Sequence, residues 1–190
     1  MKLTEINFEG PYYFYGEKNN LFLQKFEVES GIYLWCVKQL NTDHYFIHYV
    51  GESNQIHDRH KQHLTQVLGL NYGVFDFGQM QKGQLVYEWQ GMWRDKSKLA
   101  VQNTLGNYER VSNEALQTMK SMSIFFAPFS GEMVERRKIE GLIAKELKNS
   151  QFDNLYPNDN RTGISKTTFN KKIHIKSAKA IKGLAKEVVI

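Results

Sequence analysis

Gly31-Ile32-Tyr33-Leu34-Trp35-Cys36-Val37-Lys38, then Asn41-Thr42-Asp43, then His44-Tyr45-Phe46-Ile47-His48-Tyr49-Val50-Gly51 is the stretch from which the fold is argued. Two apolar, aromatic and β-branched runs flank residues of turn chemistry, a pattern that predicts an antiparallel β-hairpin. Tyr33 and Tyr49 sit in its two strands. Tyrosines in strands ordinarily serve as core or cross-strand aromatics.

Working outward, Ser53 is placed to cap a helix over residues 54–68, with Ile56, Leu64, Val67 and Leu68 as its apolar stripe. Arg59 and His63 are four apart at the edge of that stripe, which turns both toward the rim of the sheet. Upstream, residues 20–29 form a short strand-like run ended by Ser30-Gly31. Downstream, residues 69–94 are rich in Gly, Gln and aromatics and read as irregular, with a short strand near residues 85–89. Residues 95–120 have helical periodicity, residues 123–127 form a third strand ended by Pro128, and residues 132–148 form a strong helix. A loop over residues 149–163 leads to a strand at Ile173 and Ile175 and a short helix over residues 178–186.

The chain of 190 residues is long enough for one domain with a real core. Its single cysteine, Cys36, excludes an intrachain disulfide and lies in a predicted strand as a small core residue. Residues 1–10 are mixed polar without a signal-peptide pattern, and no apolar run approaches a membrane span. The expectation is a soluble, cytoplasmic protein without membrane contact. The net charge of +5 is unevenly placed: residues 161–190 hold eight Lys or Arg against one Glu, a net +7, so residues 1–160 sum to −2. Such a basic end suits a polyanion such as nucleic acid, and it equally suits a solvated lysine-rich tail. Its candidate nucleic-acid contacts are Arg161, Lys166, Lys171 and Lys172.

Gly31-Ile32-Tyr33, Tyr49-Val50-Gly51, Ser53, Arg59 and His63, in this order and spacing, resemble the GIY-YIG nuclease superfamily. Phe125-Phe126, the string Ile139-Glu140-Gly141-Leu142-Ile143 and Pro157-Asn158 are similar to its later elements, so the resemblance spans residues 31–158. It implies an α/β (α+β) GIY-YIG fold with a central three-stranded antiparallel sheet flanked by helices. The nuclease domain would be residues 1–160, with an insertion at 69–120 and a basic extension at 161–190 packed on or continuing it. It also implies hydrolysis of DNA phosphodiesters assisted by one divalent cation, Mg²⁺ or Mn²⁺. Two departures stand out. Relatives of the excision-repair incision subunit usually carry a lysine after the second glycine, where this chain has Glu52. Some fifty residues, 69–120, separate the arginine helix from the third strand.

The resemblance assigns Tyr33, Tyr49, Arg59, His63 and Glu140 as catalytic, Glu140 as the metal ligand and Asn158 as a phosphate contact. The chemistry is coherent. A phenol of pKa about 10 acting as base near neutrality needs roughly 3 units of help, a scale that one cation at about 4 Å supplies at an effective dielectric of ~20. Arginine offers a planar fork and a permanent charge to phosphate, histidine a proton relay, and one carboxylate suffices for a hard cation that keeps its waters. Periodicity leaves Glu132, Glu135 and Glu146 as rivals of Glu140 on one helix, and Asn154 and Asn160 as rivals of Asn158. Trp89 and Trp93 are suited either to stack on bases or to anchor the insertion. The expected enzyme is a stand-alone, restriction-like endonuclease acting as a homodimer. The alternatives are a structure-specific nuclease of repair or mobile elements and an inactive nucleic-acid-binding module.

Overall fold

The structure is a computed structural model that describes residues 2–92, 97–152 and 166–190. In chain order its elements are β1 (Lys2–Tyr12), β2 (Gly31–Lys38), β3 (His44–Ser53), α1 (Ile56–Leu68), β4 (Val74–Phe75), α2 (Phe77–Gln81), β5 (Tyr87–Trp89), α3 (Ala100–Ser121), β6 (Ser123–Pro128), α4 (Met133–Lys148), β7 (Lys171–Ser177), β8 (Ala180–Lys182) and β9 (Glu187–Val189). Leu21–Leu23 is one 3-10 turn, capped by the Asn20 side chain, where a strand-like run is expected. Trp93 lies outside the described residues.

The expected three-stranded antiparallel sheet is corrected to a seven-stranded mixed sheet of order β8-β3-β2-β6-β1-β7-β9. Its four additional strands come from the two ends of the chain. β1 pairs antiparallel with β6 and parallel with β7, running from Lys2 opposite Lys171 to Phe8 opposite Ser177. In place of the expected C-terminal helix, β8 lies parallel to β3 and β9 closes the other edge against β7. β7 is the strand expected at Ile173 and Ile175, whereas β1 offers little local pattern because it turns few apolar residues inward, Ile6 and Phe8. The partners of β1 and β8 lie more than a hundred residues away, beyond the reach of local pattern. A two-stranded β4–β5 ribbon and α2 occupy part of the segment read as irregular.

Each face of the sheet has its own core. On one, Ile139, Ile143, Ala144 and Leu147 of α4 pack on Ile32, Leu34, Ile47, Val50 and Phe125. On the other, Ile56 and Val67 of α1 and Val111, Ala115 and Met119 of α3 pack on Tyr33, Trp35, Val37 and Phe126. β2 is therefore buried on both faces, which explains its unbroken apolar run.

A bulge decides which face carries Tyr49. Trp35 stands opposite Tyr49 and Cys36 opposite Ile47, so His48 is an extra residue in β3. Ile47 and Val50 face α4, whereas Tyr49 joins the α1 side, and His48 packs on Phe75 of that same side. Without the bulge, strict alternation from Ile47 would turn Tyr49 to the α4 side, away from Tyr33.

The glycines of the hairpin have a steric reason. Gly51 is opposite Tyr33, and a Cβ on Gly51 would lie 2.3 Å from Cζ of the Tyr33 ring. A Cβ on Gly31 would lie 2.1 Å from the Ala127 carbonyl oxygen across β6. Tyr33 is fully buried and cannot swing away. Gly51→Ala should therefore destabilise the protein by about 1–3 kcal/mol, the range for overpacking a core. Urea unfolding measures this, and an unchanged midpoint with an unchanged slope would contradict the close approach.

Candidate active site

The site forms where β3 loses its outer neighbour. β8 pairs only with His44 to Phe46, so Tyr49 to Ser53 occupy the part of β3 that β8 does not reach. α1 covers that end from one face and α4 from the other. α1 starts two residues later than expected, at Ile56, with Gln55 rather than Ser53 at the cap position. Ser53 Oγ instead accepts from the Gln55 backbone N–H at 2.9 Å, tightening the link between strand and helix.

Tyr33 is the hub. Its hydroxyl lies 2.7 Å from His63 Nε2 and accepts from Arg59 Nε at 3.3 Å. The rings of Tyr33 and Tyr49 stack with centroids 6.0 Å apart, and His63 sits edge-on to both. Loss of hydration holds the Tyr33 hydroxyl well above the ordinary phenol pKa, with Tyr49 adding to the rise and Arg59 opposing it. Tyr49 is also raised, first by burial and then by the Glu140 charge, again against Arg59. The pull of Arg59 on Tyr49 is smaller than the combined push of burial and Glu140.

Glu140 approaches from α4. It is half-buried and, among the described residues, makes no hydrogen bond or ion pair. Desolvation first, and the Glu52 charge second, push its carboxyl up to about 7, while Arg137 and Arg59 pull it down. Its electrostatic neighbours are therefore the tyrosine hydroxyls, Arg59, Glu52 and Arg137. Its rival Glu135 is buried and spent on an ion pair with Lys171 Nζ at 2.5 Å, while Glu132 and Glu146 are exposed. Of the four glutamates that periodicity leaves open, Glu140 is the one whose charge acts on both tyrosine hydroxyls.

The donor chemistry fits a hard divalent cation. Among the described residues no three His, Cys, Asp or Glu side chains are grouped to hold a metal. Mg²⁺ needs only one or two protein carboxylates because it retains waters, and Glu140 is an unpaired carboxylate. His57 and His60, which share the helix with His63, are otherwise engaged: His57 Nε2 meets the Leu21 carbonyl and His60 Nδ1 donates to the Ile56 carbonyl. Burial depresses His60 to about 4 and His63 to about 3, so both are neutral at pH 7.

The predicted nucleic-acid contacts fare differently. Asn158 and Arg161, with Pro157, Asn154 and Asn160, lie outside the described residues. Lys166 is exposed. Lys171 and Lys172 are committed to Glu135 and Glu187, and Lys176 to Glu5. Much of the basic end is thus strand-to-strand and strand-to-helix pairing rather than a loose cationic tail. Sequence reasoning passed over Arg136 and Arg137. Arg136 is buried on α4 and donates from Nε to Glu52 at 3.2 Å and from its terminal groups to Asn54 Oδ1 and the Gly131 carbonyl. The signal that would have found it is the departure itself, an acid at position 52 that calls for a basic partner.

Comparison with family models, with curated proteins and with solved structures finds no match to this chain. No helix of the described residues is long and apolar enough to cross a membrane.

The Glu140 environment has a thermodynamic signature. Its carboxyl titrates near 7 in the folded protein against 4.5 in the free group, so the folded state holds the proton more tightly. That contribution to stability is full below pH 4.5 and is lost as pH rises through 7. In chelator, Glu140→Gln should be more stable than the parent at pH 8 by roughly 2–3 kcal/mol and equal to it near pH 4. Urea unfolding at the two pH values checks both sign and window.

Proposed function

We propose that the chain is a divalent-metal-dependent endonuclease that hydrolyses DNA phosphodiester bonds, a restriction-like enzyme of the GIY-YIG type. The observation that supports this best is the meeting of Tyr33, Tyr49, Arg59, His63 and Glu140 at one end of β3, although they come from two strands and from helices on opposite faces of the sheet. A structural role for these residues would not require a half-buried, unpaired carboxylate beside an arginine and two phenols.

In this reading Arg59 holds the scissile phosphate and stabilises the charge that grows on its equatorial oxygens. It is already oriented, since Nε is fixed by the Tyr33 hydroxyl and NH1 by Gln62. Tyr49, at the less buried side of the stacked pair, orients the attacking water. Tyr33 links that water to His63, whose neutral imidazole is ready to accept a proton through the Nδ1–H tautomer. An arriving phosphate adds negative charge beside His63 and raises its proton affinity from the depressed value of the free protein. Glu140 would hold Mg²⁺ or Mn²⁺, which when bound supplies neutralisation of the leaving oxygen and the extra positive field that Tyr49 lacks. One site per chain cuts one strand, so double-strand cleavage uses two copies.

Purified protein incubated with supercoiled plasmid should nick or linearise it with Mg²⁺ or Mn²⁺ and leave it intact in chelator. Arg59→Ala and Glu140→Ala should each reduce the rate by at least about 10²-fold, the scale for losing one transition-state contact, with unchanged near-ultraviolet circular dichroism. Full activity in either variant would refute the assignment. A fixed short site recovered from every plasmid identifies restriction, whereas cutting confined to branched substrates identifies a structure-specific nuclease.

A further inference from the structure

The acid at position 52 has a consequence beyond the five residues of the site. Glu52 is largely buried, and its two carboxylate oxygens are shared between two consecutive arginines of α4: Oε2 accepts from Arg136 Nε at 3.2 Å and Oε1 from Arg137 Nε at 3.4 Å. The two arginines differ in what remains of them. Arg136 is 4% exposed, and all three of its nitrogens are used. Arg137 is 58% exposed, and among the described residues its Nε contact with Glu52 is its one hydrogen bond. Its two terminal amino groups are left for a ligand.

Their position is also specific. Arg137 precedes Glu140 by three residues, so the two share a face of α4. Both Arg137 and Arg59 act on the Glu140 carboxyl, and the two arginines reach it from helices on opposite faces of the sheet. The clamp leaves this corner net positive, since two guanidinium groups outweigh the one carboxylate of Glu52.

We propose that Arg137, aimed by Glu52, is a phosphate-binding residue of the substrate cleft, gripping a backbone phosphate of the DNA strand that Arg59 and Glu140 engage. Glu52 is then a positioning residue: it fixes Nε so that the free fork of the guanidinium points outward, the geometry that suits bidentate phosphate contact. Two arginines whose charges both act on one carboxylate give the strand two grips, which sets its register across the site rather than merely attracting it. This rests on the nuclease reading of the same site.

The test separates the two. Duplex DNA binding is followed by fluorescence anisotropy in chelator over a range of salt, and cleavage by steady-state kinetics with Mg²⁺. Arg137→Gln should weaken metal-free binding about tenfold and lower the slope of log K against log salt by about one, the loss of one phosphate contact. Its cleavage defect should appear in KM rather than kcat, and Arg137→Lys should recover most of the binding because it restores the charge. Glu52→Gln should raise KM in the same direction, since Arg137 loses its anchor. If the parent binds and cuts DNA while Arg137→Gln matches it in affinity, salt slope and KM, the Arg137 role is overturned and the nuclease reading stands. If the parent neither binds nor cuts DNA, both fall. A lowered thermal midpoint without a changed salt slope would make Arg137 a purely structural residue and overturn the proposal as well.

Discussion

The ring of Tyr33 lying flat across Gly51 is the contact on which the site depends. A methyl group at position 51 would lie inside the ring's van der Waals envelope, so the absence of a side chain there is what lets the phenol reach across β3. Only from that position does its hydroxyl meet both His63 and Arg59 on α1. The same contact closes the α1-side core, because Tyr33 packs with Trp35, Ile56 and Phe126 as well as with the histidines. Stability and site geometry therefore share one residue, and α1 is locked to the hairpin through the side chains proposed to act on substrate.

The second tie runs from the other face. Arg136 is almost wholly buried with every nitrogen paired, and its carboxylate partner comes from the last turn of β3. Buried ion pairs add little net stability against an apolar alternative, but breaking one leaves an uncompensated charge that costs about 3–5 kcal/mol. Such a pair holds α4 to one rotation about its axis. One turn further along that helix is Glu140, whose carboxyl is left without a partner among the described residues. A second buried pair, Glu135 with Lys171, ties α4 to the C-terminal strands. The three acids of α4 thus differ in what faces them: Glu135 is ion-paired, Glu146 is exposed, and Glu140 has no hydrogen bond among the described residues.

Much of the central hairpin and of the two long helices was legible from residue pattern. β2 is a continuous apolar run, and α4 has apolar residues at helical spacing over four turns. Of the outer strands, the one at Ile173 and Ile175 was legible; β1 and β8 were not, because β1 buries little beyond Ile6 and Phe8 and the partners of both are far away in sequence. The surroundings of the C-terminal lysines were hidden for a related reason. A cation in a strand looks the same in sequence whether it faces solvent or a carboxylate from another element, and Lys171, Lys172 and Lys176 all found carboxylates. The start of α1 was misplaced because Ser53 is a good cap residue by type, yet its hydroxyl is used one step earlier, in the turn that leaves β3.

The sequence by itself determined the chemical inventory and its order: two tyrosines beside two glycines, an arginine and a histidine one helical turn apart, and a glutamate on a later helix. Tertiary structure alone decided which groups meet. A single extra residue, His48, turns Tyr49 onto the face of Tyr33, and the two-sided covering of β3 brings α1 and α4 to one end of it. It also decided that Glu135 is paired, with a lysine 36 residues away, while Glu140 is left without a hydrogen bond among the described residues. Local pattern encodes the direction of a side chain within its own element. The charge it meets is set by packing between elements, and that packing is what makes one of four similar glutamates different from the rest.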